Sequence, residues 1–328
     1  MDATTALSNK QIDYAMSKLT DRIYANKDHG ARVSAITDKY LTNPQDTIIV
    51  TGSNRDKDAI NQHIRNKLIQ SQRVNAEGVK YGTKSSKNLG TTEKHFASSF
   101  AVGDHIVSNN KVVTGKAGAE GIVAEVNPQK NTITLYTLDN KKHVVDLKLH
   151  GSHLQVYNHD LKEFAVGDKI IFLKNDKGLG VKNGQTADII AIDEKTNKMT
   201  VKTAKGELTF NPISQYSYIS HGYAITDYKS QGQTAKHVLY HADTDKGINF
   251  NQAYVAITRG KQSVDIYTND KAEFKKQVYD EQRKTSTLDH QIPLRDRMNK
   301  VVDEVSKGSD GKNNSLDTSR NKAAQIER

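Results

Sequence analysis

Hydrophobic residues near the beginning of the chain recur at intervals of three and four positions. The series consists of Ile12, Ala15, Met16, Leu19 and Ile23. Apolar side chains at this spacing form one stripe along an amphipathic helix, with polar residues on the opposite face. We therefore predict a helix within residues 1–40 that packs against a core.

A shorter segment with a different pattern follows at residues 47–51. It reads Thr-Ile-Ile-Val-Thr, a β-branched run that is typical of a buried strand. A Gly-Ser-Asn turn ends this run, and residues 56–69 return to the helical spacing. Strand, tight turn and helix make up half of a βαβ unit, so the pattern predicts an α/β domain.

The middle of the chain contains an internal repeat. The pentapeptide Phe-Ala-Val-Gly-Asp occurs at residues 100–104 and again, without a change, at residues 164–168. Short β-like runs separated by polar turns follow each copy at matching intervals. Several short strands with such turns indicate small all-β modules. We predict two tandem five-stranded barrels, at residues 96–158 and 159–213.

The α/β pattern returns after the second barrel. Residues 238–240 and 264–267 have the composition of strands, and residues 253–259 between them suit a helix. The last part of the chain is polar, with few apolar positions, which is typical of disorder. The predicted α/β domain is therefore discontinuous, and its two halves are residues 1–95 and 214–275. A tail that is first helical and then disordered is predicted at residues 276–328.

Composition narrows the class of partner. Lys and Arg number 48 against 38 Asp and Glu, a net charge of +10, which fits a polyanionic partner without identifying it. The chain has no Cys, so disulfides, thiolate zinc sites and a cysteine nucleophile are excluded. No apolar run reaches the roughly 18 residues of a membrane span, and no secretory signal is recognisable at the start. We expect a cytoplasmic protein.

Two apparent sites are set aside. Residues 189–194, Ile-Ile-Ala-Ile-Asp-Glu, imitate the Walker B strand of an ATPase, but the repeat aligns Asp193 with Asn127 in a hairpin turn. The four histidines between residues 143 and 159 lack the spacing of a metal site, so we expect no metal. The sequence also contains no G-x-x-x-x-G-K-[ST] phosphate loop. We therefore do not expect the isolated chain to hydrolyse ATP.

Two later segments carry residues suited to phosphate chemistry. Residues 226–234 read Thr-Asp-Tyr-Lys-Ser-Gln-Gly-Gln-Thr, where the Gly and the neighbouring amides can approach a phosphate or a nucleic-acid backbone. Residues 254–260 read Tyr-Val-Ala-Ile-Thr-Arg-Gly and place Arg259 at the end of an apolar stretch, as an arginine finger is presented. An arginine at a helix end usually caps the helix or lies in solvent. Only the two segments together therefore favour a phosphate-binding function.

These segments resemble motifs V and VI of superfamily 1B helicases of the RecD-like type. Residues 47–55 resemble the motif IV strand and helix of that family, and residues 166–184 resemble its SH3-like insert. The run from residue 254 to residue 270 is most similar to the helicase part of TraI/TrwC-type conjugative relaxase–helicases. Motifs I, Ia, II and III are missing, so the chain looks like the second motor domain of a longer protein.

The resemblance implies roles for individual residues. It makes Arg259 the arginine that contacts the γ-phosphate of ATP and Arg55 a second phosphate-sensing arginine. Gln231 and Gly232 become the nucleotide side of motif V. The residues that would face single-stranded DNA are Thr51, Asn54, Thr226 and Lys229, and a stacking or core role remains open for Tyr223 and Tyr228.

The fold that the resemblance implies is a discontinuous RecA-like α/β domain with two tandem SH3-like barrels inserted. ATP and Mg²⁺ are implied only for the full-length protein, together with its first motor domain and its relaxase domain. Single-stranded DNA is the implied ligand of this chain. Two alternatives remain open: a docking module recognised by the type IV secretion coupling protein, and a non-catalytic single-stranded nucleic-acid-binding module.

Overall fold

The computed structural model describes residues 3–9, 11–230 and 232–288. The predicted disordered end of the chain, within residues 289–328, and the predicted site residue Gln231 lie outside the described residues. Within the described part of the chain, no helix is both long and apolar enough to cross a membrane.

The elements of the described residues are numbered in chain order. The helices are α1 Ala3–Ser8, α2 Ile12–Leu19, α3 His29–Thr42, α4 Asn54–Gln70, α5 Lys111–Thr114, α6 Leu147–His150, α7 Asp227–Ser230, α8 Phe250–Ile257 and α9 Lys271–Leu288. The strands are β1 Ile23–Ala25, β2 Thr47–Thr51, β3 Val79–Ser86, β4 His105–Ser108, β5 Glu120–Asn127, β6 Thr132–Thr137, β7 Lys142–Asp146, β8 Leu154–Phe164, β9 Lys169–Phe172, β10 Thr186–Asp193, β11 Lys198–Thr203, β12 Gly206–Phe210, β13 Ile219–His221, β14 Ala224–Thr226, β15 Ala235–Ala242 and β16 Gly260–Thr268. Short 3₁₀ turns occur at Thr20–Arg22, Glu93–His95, Ala97–Ser99, Gly151–His153 and Thr244–Lys246.

Five parallel strands form one sheet in the order β1-β16-β15-β2-β14. Helices cover both faces, and β15 shows why: Val238 and Tyr240 join the core formed with α1, α2, α8 and α9, whereas Leu239 joins the core formed with α3 and α4. A strand that is buried on both faces is apolar at successive positions, as residues 47–51 are. The prediction of an α/β fold class is confirmed.

The predicted N-terminal helix ends earlier than its apolar spacing suggests. α2 stops at Leu19, a 3₁₀ turn follows, and Ile23 begins β1 beside β16. Ile23 is buried in the same core as Ile12 and Met16. The apolar spacing therefore continues past the helix because the next strand covers the same core.

Two antiparallel sheets are inserted between α4 and β14. The first inserted sheet has six strands in the order β3-β8-β4-β5-β6-β7, and the second inserted sheet has five in the order β12-β11-β10-β9-β13. Each encloses apolar side chains, with Ile133 and Leu135 in the core of the first and Phe172 and Phe210 in that of the second. The inserts therefore interrupt the chain of the α/β domain while the parallel sheet remains continuous in space.

The inserted sheets extend past the sequence ranges predicted for the barrels. β3 lies before residue 96, in a stretch rich in Gly, Ser and Lys, and pairs with β8 over eight residues. β8 itself runs through the expected junction at residues 158 and 159, and β13 joins the second inserted sheet after residue 213. The polar composition of β3 conceals a strand whose pairing comes from a distant part of the chain.

The two copies of the repeated pentapeptide adopt the same turn. In each copy the aspartate Oδ2 accepts a hydrogen bond of 2.8 Å from a backbone amide three residues earlier, Ala101 N for Asp104 and Ala165 N for Asp168. The glycine before each aspartate has a positive φ, +91° and +96°, which favours glycine because a side chain is strained there. The repeat in sequence is a repeat in structure.

Candidate functional site

The carboxyl ends of β2 and β14 bring three predicted site residues to one edge of the parallel sheet. Thr51 pairs with Thr226 in register, and the loop after Thr51 leads directly into α4, where Ser53 caps the helix by accepting from Asp56 N. Thr51 is fully buried and Thr226 is 7% exposed, so both hydroxyl groups lie beneath the surface. Asn54, in the first turn of α4, is exposed.

Three lysines surround one carboxylate beside Asn54. Lys57 Nζ lies 3.1 Å from Asn54 Oδ1 and 3.3 Å from Asp58 Oδ1, and Lys162 Nζ lies 3.5 Å from the same Asp58 oxygen. Burial and repulsion by Lys57 lower the pKa of Lys229, on α7, to about 8. Lys57, Lys162 and Lys229 are here called the lysine cluster. These three lysines outnumber the two carboxylates that act on Lys57, Asp58 and Asp160, so the cluster attracts an anion.

A groove of about 1040 Å³ leads from the lysine cluster between the two inserted sheets. Its wall contains Lys94 and Tyr157 from the first inserted sheet and its connections, Lys174, Asn175 and Asn183 from the loops after β9, and Lys229 from α7. Lys174 Nζ lies 4.4 Å from the ring centroid of Tyr218 and 5.9 Å from that of Tyr157. Burial lowers the pKa of Lys174. The groove is lined by cations and amides, which are the groups that hold a phosphate backbone.

Arg259 lies at the opposite edge of the parallel sheet. It follows α8 and immediately precedes β16, where Ala235 N donates to its carbonyl. Its Nε donates to Val255 O at 3.0 Å and its Nη1 to Gln233 O at 3.4 Å. The guanidinium is half-buried and folds back over the end of α8 next to the segment predicted as motif V.

The segment predicted as motif V turns at Gly232. Gly232 has φ +83°, and a Cβ atom built there would meet nothing within 4 Å. The turn is closed by Gln233 N, which donates to Ser230 O at 3.0 Å. Backbone approach is open at Gly232, and Arg259 lies beside the next residue along the chain.

The structure does not bring Arg55 together with Arg259. Arg55 is exposed on α4, beyond the carboxyl end of β2, whereas Arg259 precedes β16, at the amino ends of the parallel strands. The full length of β2 separates the two edges. The predicted DNA-facing residues and Arg55 thus share one edge, and Gly232 and Arg259 share the other.

Several residues of this site could not be recognised from the sequence. Lys57 and Lys162 belong to α4 and β8, far apart in the chain, and only the fold makes them neighbours of Lys229. Tyr223, for which stacking or core was left open, is 4% exposed and donates its hydroxyl to Asp168 Oδ1 at 2.8 Å. Tyr223 is therefore a core residue; the side chain of Tyr228 lies outside the described positions.

No family model matches the chain. The conjugal transfer protein TraA of Rhizobium radiobacter is 32% identical over 109 residues, which are 32% of this chain and 10% of that protein. A probable conjugal transfer protein TraA of Sinorhizobium fredii is 33% identical over 109 residues, with the same shares covered. The chain thus spans about a tenth of the length of the curated relatives that it matches.

Among solved structures, the chain is similar to Pif1 helicases. The Bacteroides Pif1 helicase in complex with ADP-AlF3 and ssDNA aligns with 82% of this chain and 48% of its own, at 16% identity and a TM-score of 0.27. The Candida albicans Pif1 helicase aligns with 70% of this chain and 46% of its own, at 12% identity and a TM-score of 0.24. At such scores no shared fold follows. The resemblance to conjugative transfer proteins that the motifs predict is confirmed by the TraA relatives, over about a third of the chain.

Proposed function

We propose that the chain is the second motor domain of a conjugative relaxase–helicase and that it binds single-stranded DNA along the lysine cluster and the groove between the inserted sheets. The observation that carries the proposal is the excess of positive charge in a continuous path from Asn54 through Lys229 to Lys174. A cationic groove that follows the backbone is how proteins hold single strands without reading their sequence. The TraA relatives support the biological setting.

In this proposal the parallel sheet is RecA-like and the inserted sheets are SH3-like modules that cover the strand. DNA lies at the carboxyl edge of the sheet, beside Asn54 and Lys229, and ATP with Mg²⁺ lies at the other edge, beside Gly232 and Arg259. The separation of the two edges supports this division, because each polyanion then has its own cations. Arg55, at the DNA edge, becomes a backbone contact instead of a phosphate sensor for ATP.

The DNA part of the proposal is tested by binding at several salt concentrations. We expect the isolated chain to bind an oligo-dT of about 12 nucleotides, with log K falling linearly against log salt by about 0.7 for each phosphate contact. Lys174→Gln and Lys229→Gln should each weaken binding and reduce the slope. Lys205→Gln removes the same charge from a hairpin outside the groove and should change neither. Binding that ignores salt, or wild-type affinity in both groove variants, would contradict the proposal.

The nucleotide part is tested in the full-length protein. We expect the isolated chain to show no DNA-stimulated ATPase, because it has no phosphate loop. In the full-length protein, Arg259→Ala should lower kcat by roughly 10³-fold with DNA binding retained, the size of an arginine-finger effect. Turnover near the wild-type value would remove Arg259 from the nucleotide site.

A second function, docking of the type IV secretion coupling protein, is favoured by one observation. The first inserted sheet exposes apolar side chains on neighbouring strands: Ile122 is 50% exposed, Tyr136 45% and Val144 64%. Ile122 and Tyr136 are cross-strand partners, and Val144 pairs with Thr134, two residues along from Tyr136. Contiguous exposed apolar surface marks an interaction site.

The docking function is separated from DNA binding by a surface variant. Ile122→Ser with Val144→Ser should leave the oligo-dT affinity of the chain unchanged and lower plasmid transfer by the full-length protein. Ile190→Ser, on the second inserted sheet, where Ile190 is 38% exposed, is the matched control and should leave transfer intact. Normal transfer by the double variant would exclude docking at this surface.

A further inference from the structure

Gln233 lies where three parts of the molecule meet. Its side-chain Nε2 donates to Lys229 O at 3.1 Å, and its backbone carbonyl accepts from Arg259 Nη1 at 3.4 Å. A Cβ atom built at Gly184, in the second insert, would lie 2.8 Å from the same Nε2. One residue thus touches a groove lysine's backbone, an insert loop and the arginine at the opposite edge of the sheet.

The loop that contacts Gln233 is itself part of the groove wall. Asn183 and Asn175 both line the groove, and Asn183 N donates to Asn175 Oδ1 at 2.8 Å. Gly184 N donates to Phe172 O at 2.7 Å, which fixes the loop to β9. Gly184 has φ +85° and no side chain. The loop backbone can therefore lie directly against the Gln233 side chain, where any larger residue would clash.

We propose that Gln233 is a positioning residue that transmits occupancy of the groove to Arg259. A strand in the groove would contact Lys229 and Asn183. The Lys229 carbonyl and Gly184, the residue after Asn183, are the two groups that lie against the Gln233 side chain. When either shifts, the Gln233 carbonyl moves, and the 3.4 Å contact to Arg259 is long enough to be made or lost by a small displacement. The two sites are then coupled because the strand binds one arrangement of this contact better than the other.

This inference rests on the proposed function, and its test uses the isolated chain. Arg259 is followed by NMR through its side-chain Nε–Hε resonance, assigned by its disappearance in Arg259→Lys. Oligo-dT is added while affinity is measured in parallel by fluorescence anisotropy. In the wild-type chain the Arg259 resonance should shift with the same midpoint as binding.

Two variants break the connection at different points. Gln233→Ala removes the side chain that joins Lys229 and Gly184, and Gly184→Ala places a methyl group against its amide. Both should bind oligo-dT within about twofold of wild type and lose most of the Arg259 shift. Gly180→Ala is the matched control, since Gly180 also has a positive φ, +69°, but no atom lies within 4 Å of its Cβ position; it should keep the shift.

The possible outcomes distinguish the role of Gln233 from the proposed DNA binding on which it rests. Binding with an unmoved Arg259 resonance in the wild-type chain, or a full shift in Gln233→Ala, would overturn the role of Gln233 and leave the DNA proposal standing. Absence of binding at every salt concentration would overturn both. A shift lost equally in Gly180→Ala would show that loop strain, and not contact with Gln233, moves Arg259.

Discussion

The same five residues form the same turn before β4 of the first inserted sheet and before β9 of the second, yet the two aspartates face different surroundings. Asp104 accepts from Lys87 Nζ at 2.7 Å, on the first inserted sheet's own connection. Asp168 is fully buried and accepts from Arg65 Nε at 3.0 Å and from the Tyr223 hydroxyl at 2.8 Å. Arg65 belongs to α4 of the α/β domain, so the second copy is bonded to the domain and the first is not.

The glycines of the two turns show the same difference. A Cβ atom at Gly167 would lie 2.2 Å from Arg73 O, in the connection after α4, whereas a Cβ atom at Gly103 would meet nothing within 4 Å. One turn is pressed against the α/β domain and the other faces open space. The identical sequence therefore determines the conformation of the turn, and the neighbours of each turn determine whether it is fixed against the α/β domain.

The first inserted sheet reaches α4 through Glu163 on β8, which accepts from Arg65 Nη2 at 3.1 Å, and it reaches the second inserted sheet through Glu120. Glu120 on β5 accepts from His105 Nε2 at 2.9 Å and Lys84 Nζ at 2.8 Å, and from the hydroxyl of Tyr218 at 3.2 Å, just before β13 of the second inserted sheet. The hydrogen bonds from His105 and Lys84 hold the pKa of Glu120 well below its usual range. The contrast between the second turn, which is anchored to the domain, and the first turn, which is not, is open to direct tests.

The largest difference is expected between Asp168→Asn and Asp104→Asn. Asn keeps an oxygen for the turn but removes the charge, and at residue 168 this leaves Arg65 buried with Glu163 as its remaining ion-pair partner. Breaking a buried ion pair costs about 3–5 kcal/mol. The loss in Asp104→Asn should be smaller, because the Lys87 side chain is 20% exposed and its ammonium can turn to solvent. Urea unfolding measures both. Equal losses would mean that the two turns are anchored alike.

A smaller difference is expected between Gly167→Ala and Gly103→Ala. Both variants suffer the strain of a side chain at positive φ, about 1–2 kcal/mol. Only Gly167→Ala also forces its methyl group against Arg73 O, which should add about 1–3 kcal/mol of overpacking. Gly103→Ala is thus the control for strain alone. The free energy of unfolding should fall more in Gly167→Ala than in Gly103→Ala. A larger loss in Gly103→Ala would reverse the assignment of the anchored turn.

The smallest effect is expected from pH. His221, on β13, is packed against Phe164 and Tyr223, and burial lowers its pKa to about 4. In the unfolded chain the His221 imidazole binds a proton near pH 6.5, whereas in the folded chain it stays neutral to about pH 4. The free energy of unfolding therefore falls as pH decreases from about 7 to 5, by on the order of 2 kcal/mol. His221→Gln should flatten this dependence. His159→Gln, at an exposed position of β8, should preserve it, and an unchanged slope in His221→Gln would exclude His221 as the source.

Local patterns predicted the elements and their class better than their limits. Residues 47–51 were recognisable as a strand because both faces of the strand are buried. The pentapeptide turns were recognisable because each needs a Gly at positive φ and an Asp that accepts a backbone hydrogen bond. β3 was missed because its partner β8 lies far along the chain and its own residues are polar.

The candidate site was predictable where one segment carries it and not where distant segments meet. Gly232 and Arg259 were found from two short motifs, and Gln233 lies between them in the sequence. The lysine cluster and the contact of Gly184 with Gln233 depend on how the inserts pack, which no local pattern records. The role of each predicted residue stays a prediction until the binding and kinetic tests are made.

The order of strands in the parallel sheet has a consequence for how the chain folds. Among the described strands, β1 pairs with β16 alone, and Ile23 lies opposite Ile266. The first described strand therefore cannot pair until the last described strand has been made. Contacts this distant in sequence slow folding, because the loop between them is closed before any pairing repays the loss of entropy. During synthesis on the ribosome, both inserts emerge before β14, β15 and β16 do. We expect the antiparallel inserts to form first and the parallel sheet to close only when residues 224–268 arrive.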